Sequence, residues 1–171
     1  MEIRALRESD DRSVFRSGDS DLDRFLQKYA GQNQFRHHIG TTYVAVETDR
    51  IISNATVAPA HVEVRDLPVS LRKKLPRYPL PVLLLACLAV DQSVQGQGVG
   101  QALLRLVFRL ASRMAADVGC LGVVVDAKAD AIEFYRRLGF VPLAVLEGHS
   151  EARPQPLAMC LPVGDIEAAR G

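Results

Sequence analysis

The sequence predicts one α/β (α+β) domain spanning residues 1–171, and three observations carry that expectation. A chain of 171 residues with 48% hydrophobic side chains fits a single domain with a sizeable buried core. Val82–Val90 (VLLLACLAV) and Leu121–Val125 (LGVVV) are continuous apolar runs bounded by turn signals, too short for ordinary helices, as strands buried on both faces are. Between them Gly98–Val118 places Val99, Leu103, Leu106, Leu110, Met114 and Val118 at helical spacing, with Gln101, Arg105, Arg109 and Arg113 on the other side.

The remaining elements follow in chain order. Residues 2–6 (EIRAL) read as a short strand. Asp19–Ala30 reads as an amphipathic helix. Leu22, Phe25, Leu26 and Tyr29 share one face, and Asp19, Asp21 and Asp23 sit at its start, where the helix dipole favours acids. Thr41–Val46 and Arg50–Val57 flank Thr48-Asp49 as a hairpin. Residues 59–81 hold five of the nine prolines and, with Arg65, Arg72, Lys73, Lys74 and Arg77 against Glu63 and Asp66, a charge of about +3. They read as an excursion with one helical turn at 69–75, and irregular segments of that length are usually functional or flexible. The segment 82–140 holds both apolar runs and the long helix between them, and reads as the core of the domain. Gly119 stands as the stop of the long helix. Asp130 with Glu133 forms a capping box for a helix over Ala131–Leu138, which Gly139-Phe140 ends. Val141–Leu146 and Leu157–Leu161 are closing strands.

Composition excludes several classes. A net charge of +1 is incompatible with a uniformly basic nucleic-acid coat, though not with a local basic patch. Cys87, Cys120 and Cys160 are odd in number and far apart, with no Cys-x-x-Cys. They read as small core residues in a reducing, cytoplasmic setting, with no disulfide framework or zinc site. No metal is expected, since His37-His38 has no third ligand spaced to join it. The N-terminal MEIRALRESDD is charged and lacks an apolar leader stretch. No apolar run approaches the roughly 20 residues of a membrane span.

The segment most informative about function is Val90-Asp91-Gln92-Ser93-Val94-Gln95-Gly96-Gln97-Gly98-Val99-Gly100-Gln101. It joins a buried strand to the longest helix. Its glycines let backbone approach a ligand, and the helix start offers unpaired N–H groups and a positive dipole end, which together make a phosphate or pyrophosphate site. Gln101 after Gly100 excludes a Walker loop, and glycines at 96, 98 and 100 do not fit the G-x-G-x-x-G of dinucleotide folds.

Gln95-x-x-Gly98-x-Gly100 instead resembles the [Gln/Arg]-x-x-Gly-x-[Gly/Ala] loop of GNAT-superfamily acetyltransferases. Ala131-Ile132-Glu133-Phe134-Tyr135-Arg136-Arg137-Leu138-Gly139-Phe140 looks like the A-x-x-F-Y-x-x-x-G-F stretch of the same superfamily, in the right order and at the right separation. The resemblance implies a mixed central sheet of about six to seven strands with helices on both faces and a V-shaped splay between strands 4 and 5. It implies acetyl-CoA as cofactor, held by Leu88, Ala89, Val90, Gln95, Gly96, Gln97, Gly98, Val99, Gly100, Gln101 and Phe134. Leu88 would supply the backbone N–H for the developing oxyanion, a donor worth ~3–4 kcal/mol, and Tyr135 would protonate the leaving thiolate. A thiol near 8.5 against a tyrosine near 10 makes full transfer uphill by roughly 2 kcal/mol, so Tyr135 serves best with a lowered pKa or as a hydrogen-bond donor. The alternative for Tyr135 is a packing role beside Phe134.

LDRFL at 22–26, Pro76-Arg77-Tyr78-Pro79 and Pro81-Val82-Leu83-Leu84-Leu85 resemble the GNAT toxins of bacterial toxin–antitoxin pairs. That resemblance implies acetylation of the α-amino group of aminoacyl-tRNA, a ribbon-helix-helix antitoxin as partner and a homodimer. Arg36, Arg72, Lys73, Lys74, Arg77 and Tyr78 would then meet the tRNA, with Arg65, His37 and His38 beside them. The alternatives are a solvated polar face for the cations and a core position for Tyr78. Ser53-Asn54 stands where those toxins often carry Gly-Tyr, and Cys87 where they often carry a basic residue. These departures keep open a small-molecule amine or a protein N-terminus as acceptor. No general base is visible; an α-amine of pKa about 8 is partly neutral at pH 7 and can do without one. Arg153, in the late polar loop, borders the cleft in one reading and nothing in the sequence decides it.

Overall fold

In the computed structural model, which describes residues 1–143 and 156–170, β1 (Glu2–Ala5), β2 (Thr41–Glu47) and β3 (Arg50–Val62) form an antiparallel meander. The β2–β3 turn is Thr48-Asp49, with φ of 51° and 60°, the positive values a two-residue hairpin turn demands. The expected hairpin is therefore present, and its second strand runs on through Pro59 to Val62. A register shift between Ala45 and Val46 lets Val46 face Ile51.

The full sheet has seven strands in the order β1-β2-β3-β4-β5-β7-β6, with β4 at Leu80–Val90, β5 at Gly122–Ala127, β6 at Val141–Pro142 and β7 at Leu157–Pro162. It is mixed. β5–β7 and β6–β7 are antiparallel, and β4–β5 is the parallel pair at which the expected splay falls. Both apolar runs are strands. Residues 144–146 of the expected sixth strand and Arg153 lie outside the described residues.

Two compact units make up the chain. One comprises Met1–Ala58 and Leu85–Arg109. Its core packs Leu6, Phe15, Leu26 and Ala30 against Val44, Val46, Ile51 and Ala89. Asp19 caps α1 (Ser20–Arg24), accepting from the N–H groups of Asp21 and Leu22. The helix does not stop at Ala30. It continues as π-wound turns over Phe25–Tyr29 and Gln32–His37 and ends at His38, which adopts a left-handed φ of 55°. The π winding corrects the expected face. Ala30 N–H bonds to Phe25 O, five residues back, so Ala30 takes the buried position and Tyr29 turns outward to 46% exposure. Gly31 has right-handed helical backbone and carries the helix on.

The second unit comprises Pro59–Leu84 and Leu110–Gly171. Leu67, Leu80, Val82, Val124, Leu143 and Cys160 form its buried cluster. The excursion holds a 3-10 turn at Val64–Asp66 and the short helix α2 (Val69–Arg72). Leu121 N–H bonds to Pro81 O, joining the starts of β4 and β5. Helix α4 (Ile132–Arg137) follows a 3-10 turn at Ala129–Ala131. The expected Asp130–Glu133 capping box does not form. Ala131 N–H bonds to Lys128 O inside the turn, and Glu133 pairs with Arg136 at 2.7 Å. Gly139 has the positive φ (98°) of a helix stop. A last helix, α5 (Val163–Arg170), was not anticipated.

The long helix is α3 (Val99–Asp117), ended by Gly119 at φ 106° with its N–H on Met114 O. Its buried stripe is Val99, Leu103, Leu104, Val107 and Ala111, rotated from the expected one. Leu106, Leu110 and Met114 are half-buried flanks, and Val118 lies beyond the helix at 81% exposure. The arginines at 105, 109 and 113 are exposed as expected.

Candidate active site

Within the first unit, the end of β4 and the start of α3 build a cradle. Asp91 N–H donates to Ile52 O at 2.9 Å, so the backbone groups of Asp91 and, by strand alternation, Ala89 aim toward β3. Ser53 Oγ donates to Ala89 O at 2.7 Å in agreement. Val90, next to Asp91, therefore aims its N–H and C=O groups away from β3. Val90 O accepts from Gln95 Nε2 at 3.1 Å.

Asp91 shapes the loop that follows. Its carboxylate is 3% exposed and accepts Arg16 N–H (3.0 Å), Arg50 Nη2 (2.9 Å), Ser93 N–H (3.0 Å) and Ser93 Oγ (2.7 Å). Burial pushes its pKa up. The N–H of Arg16, the hydroxyl and N–H of Ser93 and the charge of Arg50 outweigh burial and hold it below the usual carboxylate range. Sequence reasoning passed over Asp91 as the end of an apolar run. The signal available was a lone acid closing such a run two residues before a serine, an Asx-turn pattern.

Gly96 (φ 79°) and Gly98 (φ 81°) carry the loop through conformations L residues avoid, and an added Cβ at either would meet nothing within 4 Å. The space over them is open. Gly100 is there for another reason, since a Cβ would lie 3.2 Å from Val90 Cγ2. The first intrahelical bond of α3 runs from Ala102 N–H to Gly98 O, which leaves the N–H groups of Val99, Gly100 and Gln101 ahead of the ladder. Gln95 is a brace for this loop. Its Nε2 donates to Ser17 O (2.8 Å) as well as to Val90 O.

In the second unit Tyr135 is 5% exposed on α4. Its ring is gripped edge-on by Phe134 and Phe140, both at 5.2 Å between centroids. The motif that singled out Tyr135 and Phe134 also supplies, through Gly139, the turn that brings Phe140 back, its N–H on Tyr135 O.

A glycine cradle at the positive end of a long helix matches the pyrophosphate of a CoA thioester, and a family model decides the matter. The model for the acetyltransferase (GNAT) domain matches residues 38–142. The chain belongs to the GNAT acetyltransferase family. Like other GNAT members it is an acetyl-CoA-dependent N-acetyltransferase. Over 138 residues it is 33% identical to the tRNA-acetylating toxin of Mycobacterium tuberculosis (strain ATCC 25618 / H37Rv), covering 80% of this chain and 82% of that one. AtaT complexed with acetyl-methionyl-tRNAfMet superposes with a TM-score of 0.85 at 28% identity, 99% of each chain being covered. AtaTR bound with AcCoA gives 0.79 at 28% identity over 99% of this chain and 98% of that one.

The GNAT excursion of the second unit gathers some of the expected cations and not others. Arg65, Arg72, Lys73 and Arg77 line one cavity of about 570 Å³ with Glu63, Val64 and Leu75. None of the four stands in an ion pair among the described residues; Arg72 Nη1 reaches only Arg65 O at 3.3 Å. Lys74 is exposed outside that lining, and Tyr78 is 61% exposed, which excludes the core position. Arg36, His37 and His38 are exposed at the end of the π-wound segment in the other unit. Cys160 is a core thiol, pushed up to about 12 chiefly by burial, and Cys120 is raised for the same first reason. Among the described residues no cluster of three metal-ligating side chains is present, and no helix is long and apolar enough to cross a membrane.

Proposed function

We propose that this GNAT enzyme acetylates the α-amino group of an aminoacyl-tRNA and so blocks translation, as a toxin restrained by a ribbon-helix-helix antitoxin. The observation that carries the reading is the convergence of Arg65, Arg72, Lys73 and Arg77, unpaired, on one cavity of a chain whose net charge is only +1. Unpaired cations brought together on a neutral protein fit a polyanion. The likeness to a tRNA-acetylating toxin supports the same substrate. A cytoplasmic homodimer follows from that reading.

Acetyl-CoA supplies a thioester that a neutral amine attacks directly. The N–H groups from Gln97 to Gln101 would hold its pyrophosphate at the positive end of α3, and the Leu88 edge would pair with its amide arm. The cradle fits that group because the glycine positions leave space and the polar atoms beneath it are already satisfied. Leu88 N–H would stabilise the charge developing on the thioester oxygen. Tyr135, fixed by its aromatic grip, would hydrogen-bond or protonate the departing sulfur. Arg72, Lys73, Arg77 and, outside the cavity, Lys74, Tyr78 and Arg36 would contact the RNA.

The test is to incubate the purified protein with labelled acetyl-CoA and a pool of charged tRNA and to count label on RNA. Label on charged but not on deacylated tRNA is expected. An absence of label from every charged tRNA overturns the proposal and leaves a small amine or a protein N-terminus as acceptor.

A further inference from the structure

The pyrophosphate loop is tied to a part of the chain far away in sequence, the three residues Arg16-Ser17-Gly18 just ahead of α1. Gln92 N–H donates to Arg16 O (2.8 Å), Arg16 N–H donates to the Asp91 carboxylate (3.0 Å), and Gln95 Nε2 donates to Ser17 O (2.8 Å). Gly18 has a φ of 97°, and a Cβ there would lie 2.8 Å from Gln92 Nε2. The strap thus grips the loop at its first, second and fifth residues.

The strap is itself held by one side chain. Asp23 is 9% exposed and directs its carboxylate back past the helix start, where it accepts Ser17 N–H (3.0 and 3.2 Å to its two oxygens) and Ser17 Oγ–H (2.6 Å). Ser17 Oγ in turn accepts Asp19 N–H at 3.1 Å. Dipole stabilisation of α1 explains none of these bonds: Asp19 already caps the helix, and Asp23 spends its oxygens on the chain before it.

We infer that Asp23 and Ser17 are positioning residues for acetyl-CoA, acting through Gln95. Asp23 fixes the Ser17 peptide, the Ser17 carbonyl fixes the Gln95 amide, and the amide closes the loop onto Val90 O. A buried acceptor that meets three donor contacts is a stiff anchor, because releasing any of them leaves a charged group short of partners. The inference concerns donor binding and stands whether or not the acceptor is an aminoacyl-tRNA.

The experiment measures the acetyl-CoA dissociation constant by titration calorimetry, alongside melting temperature, for wild type, Asp23→Ala, Asp23→Asn, Ser17→Ala, Gln95→Met and the pair Asp23→Ala/Gln95→Met. Asp23→Ala and Gln95→Met should each weaken acetyl-CoA by about tenfold, the size expected for losing a charge-assisted or bracing bond. Asp23→Asn, which keeps one acceptor oxygen, should recover most of the loss, and the double variant should be no weaker than the worse single one. A merely structural Asp23 would lower the melting temperature and the fraction of active sites while the constant stays at its wild-type value. That result, or full additivity with Gln95→Met, overturns the inference. Should Asp23→Ala not fold, Ser17→Ala against Gln95→Met decides by the same non-additivity.

Discussion

The pyrophosphate loop and the basic excursion are the two irregular segments that carry the chemistry, and they are built on opposite plans. Between Asp91 and Gln101 the polar side chains that shape the loop, Asp91, Ser93 and Gln95, are bonded inward. The glycines leave a defined opening above them. In the excursion the four cavity cations bond nothing charged and stand in solvent. The first plan suits a small ligand of fixed shape, which rewards a rigid cradle. The second suits a polyelectrolyte held by charge, for which mobility of the side chains costs little. A change in the loop should alter donor affinity, and a change in the excursion should alter acceptor affinity and its salt dependence.

Tyr135→Phe should give the largest effect and tests whether chemistry is separable from both regions. Turnover is expected to fall about 100-fold or more, the usual contribution of a positioned acid, with acetyl-CoA binding unchanged. The ring is held by Phe134 and Phe140, so removing the hydroxyl leaves the packing in place. Steady-state kinetics with a calorimetric constant for acetyl-CoA decide it, and unchanged turnover removes Tyr135 from the chemistry.

Gly98→Val comes next. Nothing lies within 4 Å of the added Cβ, so the damage is conformational: at φ 81° a β-branched residue is strained, and the loop must relax away from its shape. A strain of roughly 1–3 kcal/mol corresponds to about 5- to 150-fold in acetyl-CoA affinity. An unaltered constant would mean that the cradle tolerates a negative φ there.

Arg72→Ala/Lys73→Ala/Arg77→Ala should leave the acetyl-CoA constant alone. It should raise the KM for charged tRNA several-fold and lower the slope of log affinity against log salt by about 2–3, near 0.9 per lost phosphate contact. A slope that does not move shows that these cations are only a solvated face.

The same contrast explains what was legible in the sequence. The loop announced itself because its needs are local: glycine at fixed spacing, a strand before it, a helix after it. Both apolar strands and the hairpin were equally plain, since burial on both faces and a Thr48-Asp49 turn leave composition signals. The network beneath the loop was not legible. Arg16 and Asp91 are 75 positions apart, and no spacing rule connects them. The π winding that exchanges Tyr29 for Ala30 was hidden too, because a 3.6-residue period is the default assumption and tertiary packing overrode it. The Asp130–Glu133 pattern misled for a related reason: a preceding 3-10 turn moved the helix start past Asp130.

The smallest effect concerns the acid limit of the loop's own anchor. The carboxyl of Asp91 is held below its usual range when folded, so it contributes stability that is fully present above the unfolded value of about 3.9 and is lost as pH falls through the lower folded value. Asp91→Asn removes that dependence. It also removes the charge that meets Arg50, so the variant should be less stable than wild type at neutral pH. The gap should then narrow as pH drops below about 4, because only the wild type is being protonated at this site. Urea melts at a series of pH values measure it. Parallel stability curves would mean that the hydrogen bonds of Arg16 and Ser93 serve an amide as well as a carboxylate. The loop would then rest on geometry alone, and its difference from the excursion would be one of shape without charge.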